Sequence, residues 1–182
     1  QIAMEAARPQ LIDMARDQGI AGFTCANCHH LAALRFDTMA LADEGLVAIA
    51  MVNALKLIVP HGGDKPIFGT NPMSFACPRD GADPIVWDQS SSVVALMDIK
   101  MAAAEGHMLE VYGGLDADGN VTKDPKAITE TLSLLPFAEH KGTGIAMRVE
   151  ILCAALAGGT LSMDTDEKDA LGERGGLFGH PL

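Results

Sequence analysis

Cys25, Cys28 and His29 form a C-x-x-C-H pattern, and His29 with His30 stand directly before the small apolar run Leu31, Ala32, Ala33 and Leu34. Read literally, the first pattern is that of c-type haem attachment, in which both thiols add to the porphyrin and the histidine binds iron. That chemistry requires export, and no basic start followed by an apolar run is there to direct it. The competing reading is two thiols placed by chance on a buried strand and turn. The two histidines open a predicted helix. There the positive end of the helix dipole favours neutral imidazole and an anionic ligand such as phosphate. A capping role is the alternative.

Four further clusters carry possible chemistry. Gly69, Thr70, Asn71 and Pro72 follow Pro60, His61, Gly62 and Gly63; small residues let backbone approach a ligand, and Thr and Asn supply directed hydrogen bonds. An ordinary Asn-Pro turn would look the same. Asp88, Gln89 and Ser90 to Ser92 close a strand and open a helix, and their hydroxyls and carboxylate suit a ribose or phosphate. Asp98 lies between Met97 and Ile99, so it faces either solvent or a partner. His140, Lys141, Gly142 and Gly144 stand at another helix entrance, where Lys meets phosphate as a point charge. Asp116, Asp118 and Gly119 lack the glycine position and the twelfth-position Glu of a calcium loop, so no metal is expected. Neither G-x-G-x-x-G nor G-x-x-x-x-G-K-[ST] occurs, which leaves Rossmann and P-loop readings without a motif.

The elements that would position these residues follow from periodicity. Met4, Ala7, Leu11 and Met14 make one apolar stripe, predicting a helix over 2–17 in which Pro9 starts the regular part or kinks it, with Gly19 as its stop. Ile20 to Cys25 reads as a short buried strand, Leu31 to Asp43 as a helix ending at Gly45, and Leu46 to Val52 as a second buried strand. Residues 53–72 form a long Gly- and Pro-rich connection, a length that is usually functional in a compact domain. Strands are expected over Met73 to Ala76 and Ile85 to Trp87. Ser91 or Ser92 would cap a helix running to Glu105 and ended by Gly106. Asp118 and Gly119 mark a tight turn, Asp124 with Pro125 starts a helix, and Gly144 to Leu156 is a last apolar helix closing at Gly158. Strands alternate with helices, so the class is α/β.

Composition narrows the function. The 182 residues carry 13 basic and 24 acidic side chains, a net charge of -11, which disfavours nucleic acid because affinity there comes mainly from Lys and Arg on phosphate. The apolar fraction of 48% argues against disorder. No uncharged run is a bilayer span, so no membrane association is expected. Four Cys without a secretion signal point to reduced thiols and a cytoplasmic setting. The chain opens with Gln1 rather than Met, as a piece of something longer would.

Taken in order, the motifs are more specific than any one of them. His29-His-Leu-Ala-Ala-Leu34, Glu44 to Ala48, Met51 to Asn53, Val59 to Gly63, Phe68 to Pro72, Ser74 to Ala76, Val86 to Asp88 with Ser91 and Ser92, Leu115 to Gly119, Thr122 with Asp124 and Pro125, Leu134 to Pro136, His140 to Gly142 and Val149 to Leu152 resemble the malate/L-lactate dehydrogenase family. The similarity runs from about Ile2 to Met163. The His-His-x-Ala-Ala-Leu segment is typical of members that reduce Δ1-piperideine-2-carboxylate and Δ1-pyrroline-2-carboxylate.

That resemblance implies a non-Rossmann mixed-sheet α/β fold, here truncated at both ends. Residues 1–163 would form the NAD(P)H-binding core, and 164–182 an acidic, Gly-containing segment leading to further strands. It implies that His30, Leu31, Ala32, Ala33 and Leu34 contact the dinucleotide, that Asp88, Gln89 and Ser90 line its other side, and that His140 and Lys141 meet its phosphates. Thr70 would touch the substrate. Asp98 matches the acidic residue that orients a catalytic histidine, holding one tautomer and stabilising imidazolium. In the family the proton-donating Ser-His pair and the carboxylate-binding Arg lie upstream of the matched segment, so this chain alone is expected to be inactive. The implied reaction is hydride transfer from NADPH, or NADH, to a cyclic imine carboxylate in a cytoplasmic homodimer. The alternatives are a 2-oxo acid dehydrogenase of malate or lactate type, a catalytically silent dinucleotide-binding module, and an electron-transfer protein using Cys25, Cys28 and His29. Cys25, Ala26 and Cys28 stand where close relatives usually have Ile, Arg and Ser, and Gln89 and Ser90 also depart from the usual pattern.

Overall fold

The structure is a computed structural model that describes residues 2–26 and 32–165. Helix α1 spans Ile2–Gln18 with Pro9 inside it. Gly19 ends it at φ 80°, donating its N–H to the Ala15 carbonyl at 2.9 Å. Ile12 of α1 packs with Leu41 and Ala48 in a small cluster that Met4, Leu11 and Leu46 extend.

The expected strand at Ile20 to Cys25 is not formed. Residues 20–26 have no regular structure, and Ile20 and Phe23 are exposed. A strand is defined by its pairing, and a short apolar run carries no information about whether a neighbour exists. Helix α2 spans Arg35–Ala42, so it begins four residues later than Leu31, and Gly45 follows at φ 80°.

Three antiparallel strands then build the main sheet: β1 (Ala48–Met51), β2 (Met73–Arg79) and β3 (Ala82–Gln89), in the order β1-β2-β3. The register sets Ala50, Ser74 and Asp88 in one row and Ile49, Phe75 and Trp87 in the next. Period-2 alternation sends these rows to opposite faces. The Ser74 row faces α2, which packs on all three strands. On the other face Phe75 stacks on Trp87 at 4.5 Å, with Ile49 and Trp87 left exposed. Strand β1 is thus not buried on both faces, as the continuous apolar run over Leu46 to Val52 had suggested.

Residues 53–72 carry no helix or ladder, yet they supply much of the core. Leu57, Ile58 and Phe68 pack with Ile99, Ile128, Leu134 and Ala146. Ile58 bridges both Phe68 and Leu134 through its backbone. Helix α3 (Leu96–Glu105) is flanked by Ala95 and Gly106, the latter left-handed at φ 77°. Neither Ser91 nor Ser92 caps it; both are buried instead, and the Ser91 hydroxyl donates to the Asn71 carbonyl at 3.1 Å. A buried hydroxyl needs a partner more than a helix end open to water does.

Strands β4 (Gly114–Leu115) and β5 (Val121–Thr122) form a small hairpin around the Asp118-Gly119 turn. Asp116 Oδ1 accepts there from the N–H groups of Asp118 and Asn120, an Asx turn rather than a cation loop. Helix α4 (Pro125–Thr131) starts as expected, with the Asp124 carboxylate accepting from the Lys126 N–H at 2.9 Å. Helix α5 spans His140–Glu150, four residues earlier than Gly144, and continues into a π-helical turn at Ile151–Ala155. A 3-10 turn at Ser162–Asp164 closes the described chain.

Candidate active site

The start of α2 is held from another element. Leu34 at its N-cap makes no side-chain cap. The Arg35 N–H is instead accepted by Asp88 Oδ2 at 2.9 Å, reaching across from the end of β3. Thr38, one turn on, meets the Ser74 hydroxyl at 2.8 Å, and Ser74 donates to the Trp87 carbonyl at 3.0 Å. A carboxylate at a helix N-terminus is favoured by the dipole, so this contact stabilises the start of α2. Asp88 and the residues Ala32, Ala33 and Leu34 are therefore on one wall.

Thr70 reaches the same place by a different route. Its carbonyl accepts from the Ser91 N–H at 2.7 Å. Asn71 beside it is fully buried and adopts a left-handed φ of 39°. Gly69 is required before it, because a side chain there would run into Asn71 Oδ1 and the Ala54 carbonyl.

These pieces enclose a cavity of about 970 Å³. Ala32, Ala33, Leu34, Thr70, Asp88 and Cys153 are among the residues that line it. Five of the residues singled out from sequence thus share one space. Burial pushes the Cys153 thiol up from its usual range; an Asn53 backbone hydrogen bond opposes this and the nearby Glu150 carboxylate adds to it. A thiol shifted this way carries less of the reactive thiolate.

The other candidates lie elsewhere. His140 and Lys141 are exposed in the first turn of α5. The His61 ring meets that of His140 edge-on at 6.3 Å, and the His61 N–H donates to Thr143 Oγ1 at 2.9 Å. The 60–63 loop is thereby fastened over the start of α5. Gln89 is exposed, and Ser90 is half-buried with its hydroxyl 2.8 Å from that of Ser92. Asp98 is exposed in the first turn of α3, without a hydrogen bond or ion pair among the described residues. His30 and Leu31, with Cys28 and His29, lie outside the described residues. So does the tail from residue 166. Among the described residues no cluster of three or more His, Cys, Asp or Glu could hold a metal, and no helix is long and apolar enough to cross a membrane.

Sequence reasoning passed over Glu150. It is a buried carboxylate in the apolar stretch Val149 to Leu152, the same signal that drew attention to Asp98.

The fold defines a mixed α/β protein with a mostly apolar cavity between a helix start, a strand end and a Gly-Thr-Asn turn. The family model described as malate/L-lactate dehydrogenase matches residues 1–180, and the chain belongs to that family. It is 49% identical over 166 residues to the Δ(1)-pyrroline-2-carboxylate/Δ(1)-piperideine-2-carboxylate reductase of Pseudomonas putida, covering 91% of this chain and 49% of that protein. It is 39% identical over 147 residues to the (2R)-3-sulfolactate dehydrogenase (NADP(+)) of Chromohalobacter salexigens, covering 81% of this chain and 44% of the relative. The crystal structure of Δ1-piperideine-2-carboxylate reductase from Pseudomonas syringae pvar. tomato superposes with a TM-score of 0.90 at 44% identity. That match covers 97% of this chain and 53% of the other. The chain spans about half the length of the relatives it matches.

Proposed function

We propose that this chain is the dinucleotide-holding part of an oxidoreductase that reduces a cyclic imine carboxylate, Δ1-piperideine-2-carboxylate or Δ1-pyrroline-2-carboxylate, with NADPH. The observation that carries the reading is the Asp88 to Arg35 N–H contact, which sets Ala32, Ala33, Leu34 and Asp88 around the cavity that Thr70 also lines. Ligand sites are mostly apolar with a few placed polar groups, and this cavity has that chemistry.

The residues present fit a dinucleotide. Ala33 and Leu34 offer an apolar wall to a ring. Asp88 keeps Oδ1 for a ribose hydroxyl while Oδ2 holds the Arg35 N–H. His140 and Lys141, at the start of α5, supply donors and positive charge for phosphate. His30, Leu31, Gln89 and Ser90 complete the proposed contact set. When bound, the reduced nicotinamide supplies a hydride to the C=N carbon beside the carboxylate. Thr70 holds the substrate through its hydroxyl, and the small residues around it keep water out. Asp98 serves in the whole protein as the carboxylate that orients a proton-donating histidine; by resemblance to the family that histidine and the carboxylate-binding Arg lie upstream of the matched segment, so the 182 residues alone turn over no substrate. Residues 1–163 form the cofactor-binding core and 164–182 lead onward. The whole protein is a cytoplasmic homodimer that binds a small imino acid and neither nucleic acid nor membrane.

Adding NADPH to this chain at a hundredfold excess over Kd stabilises it by about 2.7 kcal/mol, since a ligand of the folded state alone raises stability by mass action. At about 2–4 °C per kcal/mol for a chain of this size, the melting temperature rises by about 5–11 °C. NADH run in parallel gives a smaller rise. No shift with either dinucleotide removes the reading.

A further inference from the structure

Behind Thr70 runs a closed ring of buried hydrogen bonds that the proposed chemistry does not use. Glu150, the last residue of α5, is buried, and its Oε2 accepts from Asn71 Nδ2 at 2.8 Å and from the Ser162 hydroxyl at 2.8 Å. Its Oε1 accepts from the Ser162 N–H. The Ser162 hydroxyl also lies against the Ala54 carbonyl. Asn71 closes the ring: its Oδ1 accepts from the Ala54 N–H at 3.1 Å, and its Nδ2 is shared with the Ala146 carbonyl at 2.9 Å. Asn71 Nδ2 and the Ser162 N–H face the Glu150 carboxylate as donors, and the single Ser162 hydroxyl proton is shared between Glu150 Oε2 and the Ala54 carbonyl. Hydrogen bonds to an ionised acceptor are about twice as strong as neutral ones.

This arrangement does more than satisfy a buried charge. Asn71 sits at a positive φ that most side chains avoid, and such a conformation persists only where the surroundings over-determine it. The over-determination comes from α5 on one side and from Ala54 on the other. The residue so fixed is the neighbour of Thr70, which lines the cavity. Glu150 also stands where the α-helix passes into the π-helical turn, a distortion often kept at functional positions.

We propose that Glu150 is a positioning residue: its buried carboxylate acts through Asn71 to hold the left-handed turn that presents the Thr70 hydroxyl to the cavity. The substrate readout rests on the function proposed above; the geometric one does not. Glu150→Gln keeps the shape and reverses the polarity, because either orientation of the new amide turns its NH2 toward Asn71 Nδ2 or the Ser162 N–H.

The test compares Glu150→Gln with Ile128→Val, a change in the core cluster that includes Ala146 but at a residue with no hydrogen bond to the ring, in the protein that carries this chain. For Glu150→Gln, KM for Δ1-piperideine-2-carboxylate rises about tenfold and KM for NADPH stays within about twofold, the scale of one hydrogen bond's binding energy. For Ile128→Val, both stay near wild type. Should Glu150→Gln fail to fold, Ser162→Ala removes only the hydroxyl donor and moves the imine KM the same way by a smaller factor. An unchanged imine KM in the folded variant overturns the proposal.

If the unmodified protein reduces no imine, the function proposed above fails, and hydrogen exchange then decides this one separately. The Ala54 N–H donates to Asn71 and the Ser91 N–H to Thr70. Faster exchange of both in Glu150→Gln, with the Ile128 N–H unmoved, supports the positioning role. Unchanged exchange at Ala54 and Ser91 overturns it.

Discussion

Gly142→Ala lowers stability by about 3 kcal/mol, the upper end of the overpacking range, and drops the melting temperature by about 6–12 °C. The reason is local. A methyl at residue 142 would lie against the carbonyl oxygen, nitrogen and carbonyl carbon of Phe137. Backbone cannot step aside as the end of a side chain can. Phe137 is itself pinned, donating its N–H to the Ser91 carbonyl at 3.0 Å and accepting the Gly142 N–H at 3.0 Å. To admit the methyl, the first turn of α5 must lift away, taking His140 and Lys141 with it. The NADPH-induced rise in melting temperature should shrink together with the stability. Gly144→Ala is the contrast. Nothing lies within 4 Å of a methyl there, and the helix gains about 1 kcal/mol from the better helix former. Two glycines two residues apart thus have opposite signs, which thermal melts of the two variants would read directly.

Ile58→Ala costs about 2–5 kcal/mol, the range for removing a buried branched side chain and leaving a cavity. Ile58 is fully buried in the cluster of Leu57, Phe68, Ile99, Ile128, Leu134 and Ala146. Its backbone is also the crossing point of the 53–72 connection. It donates to the Phe68 carbonyl at 2.7 Å and accepts from Ile67 at 3.0 Å, with Leu57 and Val59 tied to Leu134 on either side. Relaxation that fills the cavity would have to drag these bonds along, so little relaxation is available. Urea denaturation should show a lower midpoint with an unchanged slope, the mark of lost stability rather than a changed unfolded state.

Much of the fold was legible because it depends on local chemistry. Gly19, Gly45 and Gly106 end helices in left-handed backbone, and Asp124 with Pro125 starts α4, as their types require. The candidate site was partly legible: Ala32, Ala33, Leu34, Thr70 and Asp88, far apart in sequence, line one cavity. What failed depended on partners distant in the chain. Residues 20–26 have strand composition but form no strand. Ser91 was read as a cap, yet its hydroxyl is drawn inward to Asn71, a residue 20 positions earlier. Glu150 shows a sequence signal, a carboxylate in an apolar stretch, but no spacing rule links it to its partners Asn71 and Ser162. Asp98 carries the same signal, a carboxylate in an apolar stretch, and is exposed in the first turn of α3.

The most direct measurement is the loss of NADPH absorbance in the protein that carries this chain, offered Δ1-piperideine-2-carboxylate or pyruvate in turn. Rapid oxidation with the imine and slow oxidation with the 2-oxo acid is the expected result. Turnover of pyruvate with none of the imine would contradict the account and assign the chain to a 2-oxo acid dehydrogenase.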